Sequence, residues 1–114
     1  MKETIKTFKA LSDPNRIRII KLLEIQPLCV CEITSILGLA TSTVSKHLSI
    51  LKDAGFIFEQ KEGKWVNYHL NRATQERSVR ELLSLISKND FDDAAIQADQ
   101  RKVRSVNRTT LCKG

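Results

Sequence analysis

"ITSILGLATSTVSKHLSILKDAGFI", residues 33–57, carries two apolar stripes of helical period separated by a glycine and two further residues. Ile33, Ile36 and Leu37 recur at i, i+3 and i+4, and Gly38 stands where helices commonly end in a left-handed residue. Val44, Leu48 and Leu51 form the second stripe, which Gly55 stops, with Thr41 or Ser42 as the expected N-cap. Two amphipathic helices joined by so short a turn read as a helix-turn-helix. Its second helix displays Thr41, Ser42, Thr43, Ser45, Lys46 and His47, short hydroxyl and cationic side chains suited to base edges and phosphates. The plainer alternative is that the hydroxyls cap the helix and the charges are a solvated face.

Upstream, Ile5, Phe8 and Leu11 recur at helical spacing. Ser12-Asp13-Pro14 ends that helix and starts another, with Asp13 as N-cap and Pro14 at the first helical position. Ile17, Ile20 and Leu22 or Leu23 line the second helix, and Gln26-Pro27 breaks it. Downstream of Gly55 the period changes to two. Residues 57–61 and 64–70 alternate across Glu62-Gly63 as a β-hairpin, with Phe58, Val66, Tyr68 and Leu70 as candidates for packing and Lys61 and Lys64 flanking the tip. A helical pattern returns from Thr74 through Val79, Leu82, Leu83 and Ile86. It breaks near Asn89-Asp90 and resumes from Asp92 to about Val106, ahead of an irregular tail, "NRTTLCKG". The expected fold is mainly α with a small β-hairpin, a winged helix-turn-helix. Residues 1–89 would be the DNA-binding and dimerisation domain and 90–114 a C-terminal helical extension and tail.

Composition agrees with this reading. The 114 residues are 41% hydrophobic and 28% charged, with a net charge of +6, which favours a polyanionic partner such as double-stranded DNA. No apolar run is long enough to span a membrane, and no signal peptide opens the chain, so the expected location is cytoplasmic. So short a chain with long amphipathic stretches is expected to complete its burial as an oligomer. No phosphate-cradling glycine loop appears, and neither histidine stands where it would serve a cysteine nucleophile as base; an enzyme, or any catalytic cofactor, is not expected.

The three cysteines, Cys29, Cys31 and Cys112, fit no disulfide scaffold and read in a reducing compartment as metal-binding or redox groups. Cys29 and Glu32 have capping-box spacing, with cysteine where serine or threonine is usual. The position exchanges some helix stability for a thiol in the positive field of a helix N-terminus, which is expected to favour the thiolate. An N-cap residue is not bound by helical angles, so the two sulfurs could converge on one ion. The alternative is that both are small buried hydrophobes, but alternate residues do not readily share one face.

Taken together, "ALSDPNRIRIIKLL", "TSTVSKHLSILKDAGFI" and "KEGKWVNYHL" resemble the ArsR/SmtB family of winged-helix repressors from about Ala10 to Leu70, and "LCVCEI" is similar to the thiol motif of its arsenic-responsive branch. The resemblance implies a homodimer joined by the first and fifth helices, bound to operator DNA and released when a metal or metalloid ion binds. As(III) or Sb(III) is the implied inducer. Where the family commonly has Ser-Gln-Pro before the recognition helix, this chain has Ala40-Thr41-Ser42. Many members of the arsenic branch carry a third cysteine three residues after the second; that position is Thr34 here, which leaves Cys112 as the candidate third ligand. Alternatives of the same fold are a redox or persulfide sensor and a cadmium or lead sensor.

Overall fold

A computed structural model of the chain describes residues 1–105; Cys112 and the expected irregular tail lie outside the described residues. Helix α1 (Lys2–Ala10) leads into α2 (Pro14–Ile25), where the Asp13 carboxylate accepts the Asn15 N–H at 2.8 Å and Pro14 opens the first turn. After Pro27 the chain forms a two-residue strand, β1 (Leu28–Cys29), then α3 (Val30–Leu37) and α4 (Thr41–Asp53). Strands β2 (Ile57–Glu62) and β3 (Trp65–Leu70) form the wing, followed by α5 (Arg77–Lys88), α6 (Ala94–Lys102) and a 3-10 turn, Val103–Ser105. Gly38, at φ 69°, ends α3 and turns the chain toward α4; only glycine takes that angle without strain.

The core is one cluster. Ile19, Ile20 and Leu22 of α2 meet Ile33 and Ile36 of α3, Val44, Leu48 and Leu51 of α4, and Phe56 beyond it, all essentially without solvent contact. This bears out the two stripes that define the helix-turn-helix. No helix among the described residues is long and apolar enough to cross a membrane.

The sheet departs from the expected hairpin in three ways. It has a third strand, because β1 pairs antiparallel with β3 in the order β1-β3-β2. Two residues are too few to show a period. Glu62 pairs with Trp65, so the turn is Gly63-Lys64 and not Glu62-Gly63; Gly63, at φ 65°, supplies the positive angle that a two-residue hairpin loop requires. Phe58 and Val66, expected to pack, are about two-fifths exposed, whereas Asn67 is buried. Alternation separates the two faces but does not tell how far along the ribbon the core extends. Register puts Leu28, Ile57 and Leu70 on one face and Cys29, Phe58, Asn67 and His69 on the other.

Residues beyond 90 share the core through Ile96 and Val103. One polar tie holds them to α2, and a second holds the end of α5. Asp99, 2% exposed, accepts two hydrogen bonds from the Arg18 guanidinium at 2.8 and 2.9 Å. Lys21 donates to the carbonyls of Ile86 and Asn89 at 3.2 and 3.1 Å and pairs with Glu24 at 2.8 Å, and thereby closes the end of α5. Removing one member of a buried pair leaves the other desolvated and uncompensated. Arg18→Leu should therefore destabilise the fold by about 3 kcal/mol, and Arg18→Leu with Asp99→Leu should be less damaging than Arg18→Leu alone. Urea unfolding at fixed protein concentration measures both.

Candidate nucleic-acid interface and thiol site

Burial of the Val44, Leu48 and Leu51 stripe sets the rotation of α4. Thr41, Ser42, Thr43, Ser45 and Lys46 are consequently exposed side by side, as the sequence suggests. Neither Thr41 nor Ser42 caps the helix, contrary to expectation: the N-cap is Ala40, in extended conformation, and it offers no side-chain acceptor. The first-turn amides of α4 therefore have no cap acceptor, and such amides favour anions. His47 does not join the exposed set. It lies on the buried arc, three residues from Val44, and its Nδ1 is 3.2 Å from Arg16 of α2. Arg16 also donates to the Ala10 carbonyl at 2.7 Å, so this pair ties α1, α2 and α4 together.

Lys61 and Lys64 are exposed at the wing tip, with Lys64 Nζ 5.1 Å from the Trp65 ring centroid. On the same ribbon Phe58 and His69 stack at 5.1 Å with an interplanar angle of 7°, and His69 Nε2 lies 2.7 Å from Glu62 Oε1. The base of the wing is fixed to α4 by the Lys52–Glu59 ion pair.

Cys29 is at once the last residue of β1 and the N-cap of α3. The capping box read from the sequence is present: the Cys29 N–H donates to Glu32 Oε1 at 2.9 Å, and the Cys29 sulfur takes the Glu32 N–H in return. The expected thiolate is not favoured. Cys29 is 4% exposed, and burial pushes its thiol above the ordinary value, which outweighs the hydrogen bond from the Glu32 amide. Cys31, two residues along in the first turn of α3, is half-buried and disulfide-bonded, so its sulfur becomes available to an ion only on reduction. Among the described residues no three His, Cys, Asp or Glu side chains are grouped as a metal site.

Sequence similarity places this architecture. The sequence model of the bacterial regulatory protein arsR family matches residues 13–58. The arsenical resistance operon repressor of Escherichia coli K12 is 31% identical over 105 residues, covering 91% of this chain and 81% of its own. The chain belongs to the arsR family. A cadmium resistance regulatory protein CadC homolog from Staphylococcus aureus is 43% identical over 70 residues, 60% of this chain and 58% of that one. Among solved structures, the homodimeric winged helix-turn-helix DNA-binding domain Mb0332 from Mycobacterium bovis, a possible ArsR-family regulator, superposes with a TM-score of 0.64 at 26% identity, over 75% of this chain and 76% of that one.

Membership makes the protein a DNA-binding transcription regulator of winged-helix type, with α3 and α4 as the helix-turn-helix. Two features of this chain escape a reading of the sequence. Arg16 looks like an ordinary surface charge until α4 is folded against it, and Asn67 looks like a solvated hairpin residue. A pattern signal existed for Asn67, which alternates in phase with Trp65 and His69, but not for its burial.

The thiol chemistry can be checked directly. A thiol held protonated by burial should react with iodoacetamide more slowly than a small-molecule thiol at pH ~8, and its rate should keep rising at pH values where an ordinary cysteine has levelled off. Tandem mass spectrometry separates Cys29 from Cys31. Labelling of Cys29 at the ordinary thiol rate in the native protein would contradict its burial.

Proposed function

We propose that this arsR-family protein is a homodimeric repressor that binds a roughly palindromic operator and is released when arsenite or antimonite binds its cysteines. The observation that carries this reading is the Cys29-x-Cys31 pair at the junction of β1 and α3, the helix that precedes the recognition helix. The buried, protonated state of Cys29 favours the metalloid over cadmium. Neutral arsenite condenses with neutral thiols and releases water, whereas a divalent cation must displace protons, which a raised thiol pKa resists. The resemblance to the E. coli arsenical resistance repressor supports the same choice, and the likeness to the CadC homolog supports the alternative.

The apolar face left open by the single chain supports the dimer. Ile5 and Phe8 of α1 and Leu85 of α5 are 46, 56 and 62% exposed, and α1 packs beside α5. In the bound state Thr41, Ser42, Thr43, Ser45 and Lys46 would meet the major groove and Lys61 and Lys64 the phosphates, with His47 orienting α4 through Arg16. Each phosphate contact releases a counterion, so Lys46→Ala or Lys64→Ala should reduce the slope of log affinity against log salt by about 2 for a dimer with two copies of the contact. A fluorescence anisotropy titration across salt concentrations reads this slope; an unchanged slope in both variants removes these lysines from the interface.

Trivalent arsenic takes three ligands, and Cys112 is the third sulfur of this reading. Helix α6 packs on α3 as well as α2, and six residues of extended chain, the number between Ser105 and Cys112, can span up to about 20 Å. Arsenite should release operator from the reduced protein nearly equally at pH ~6.5 and ~8, whereas any response to cadmium should grow with pH. Cys29→Ser keeps a capping side chain and should bind operator normally yet fail to respond. Cys112→Ser should respond weakly. If release tracks disulfide or polysulfide formation and arsenite is inert, the protein is a redox sensor.

A further inference from the structure

Asn67 is an anomaly that DNA binding does not explain. It is 4% exposed in the central strand of the wing, and its Oδ1 has no hydrogen-bond partner among the described residues. An unpaired buried carbonyl costs about 1–3 kcal/mol, so its retention calls for a ligand or a donor that arrives later. Its strand neighbours show where that donor would be. Asn67 is directly opposite Cys29 in the β1–β3 register, and directly opposite residues project from the same face with Cβ atoms about 5 Å apart. The second cysteine has a similar neighbour: Thr34, three residues after Cys31 and so beside it on α3, also has a buried oxygen without a partner among the described residues, where a helical threonine would ordinarily bond back to the preceding turn.

We propose that Asn67 is part of the effector site, where its Oδ1 accepts a hydrogen bond from the hydroxyl that a trivalent metalloid keeps after Cys29 and Cys31 have taken two of its positions. This rests on the metalloid reading above. From the reduced protein, with any Cys31 disulfide first opened by a thiol reductant, the step balances without further redox change: As(OH)3 exchanges two hydroxyls for two thiolates, two As–O bonds break as two As–S bonds form, and each thiol proton leaves with a hydroxide as water. One As–OH remains, polar and inside a buried site, and the Asn67 oxygen is the acceptor already present there. Exchange of that hydroxyl for Cys112 would release a third water and free Asn67 again. Asn67 thus serves capture of the ion, and Cys112 its final coordination.

Two arsenicals separate this role from a structural one. Arsenite retains a hydroxyl in the two-thiolate adduct, whereas phenylarsine oxide carries a phenyl group there and has no O–H to donate. Calorimetric titrations would use the reduced full chain bearing Cys112→Ser, in which the hydroxyl is not displaced. Adding Asn67→Leu should weaken arsenite binding about tenfold and leave phenylarsine oxide binding within about twofold. If that variant does not fold, Asn67→Ala carries the same comparison. Equal loss for both ligands, or no loss for either, overturns the assignment and makes Asn67 a packing or water-binding residue. Cys29→Ser in the same background should abolish tight binding of both; if it does not, the thiol-site reading itself has failed and Asn67 is not the cause.

Discussion

Val44, Leu48 and Leu51 can be buried against α2 and α3 in only one rotation of α4, and that rotation decides which side chains remain for DNA. At 100° per residue, a stripe on 44, 48 and 51 also takes in position 47. His47 is therefore inside, although its chemistry suits a groove. A buried imidazole needs a partner, and Arg16 of α2 supplies it. The same arginine reaches the carbonyls at the end of α1, so the orientation of the recognition helix is transmitted to the helix that the proposed dimer would pair.

What could be read in the sequence follows from how local its cause is. Helix periods, the Asp13 cap with Pro14, the Gly38 stop and the Cys29–Glu32 box depend on neighbours within four residues, and all are present in the fold. The two-residue strand β1 depends on partners thirty-eight and forty positions away and leaves no local trace. The Cys29 thiol departs from the expected thiolate for a related reason. A helix N-terminus lowers a thiol pKa, but its field is worth a fraction of a kcal/mol to about 1 kcal/mol at an exposed site, and enclosure by β3 and the core outweighs it. The cap of α4 fell to Ala40 because the turn after a left-handed Gly38 delivers an extended residue there, one position before the first hydroxyl. Cys112 remains an argument from ligand counting.

The position of Cys29 joins the wing and the helix-turn-helix, the two structures that the proposed operator complex uses together. Its backbone belongs to the wing sheet through β3, and its side chain caps the helix that precedes the recognition helix. A group that pulls on this sulfur acts on the wing and on the helix-turn-helix at the same point. Neither effect has to travel through the rest of the core.

Magnitudes decide whether the cap alone could operate a switch. Moving a population from almost wholly bound to almost wholly free needs about 5.5 kcal/mol of preference, or about 2.8 kcal/mol for each site of a dimer with two. Losing an N-cap contributes about 1 kcal/mol and at most about 2. The cap is therefore insufficient by itself. Breaking the adjoining β1–β3 pairing adds about 0.5–1.5 kcal/mol for each hydrogen bond lost, and the two together reach the required value. A sensor at this position must consequently disturb the wing as well as the turn of α3, and in the proposed release the two-residue strand that the sequence conceals is the part of the fold that would make the cysteine pair an effective lever.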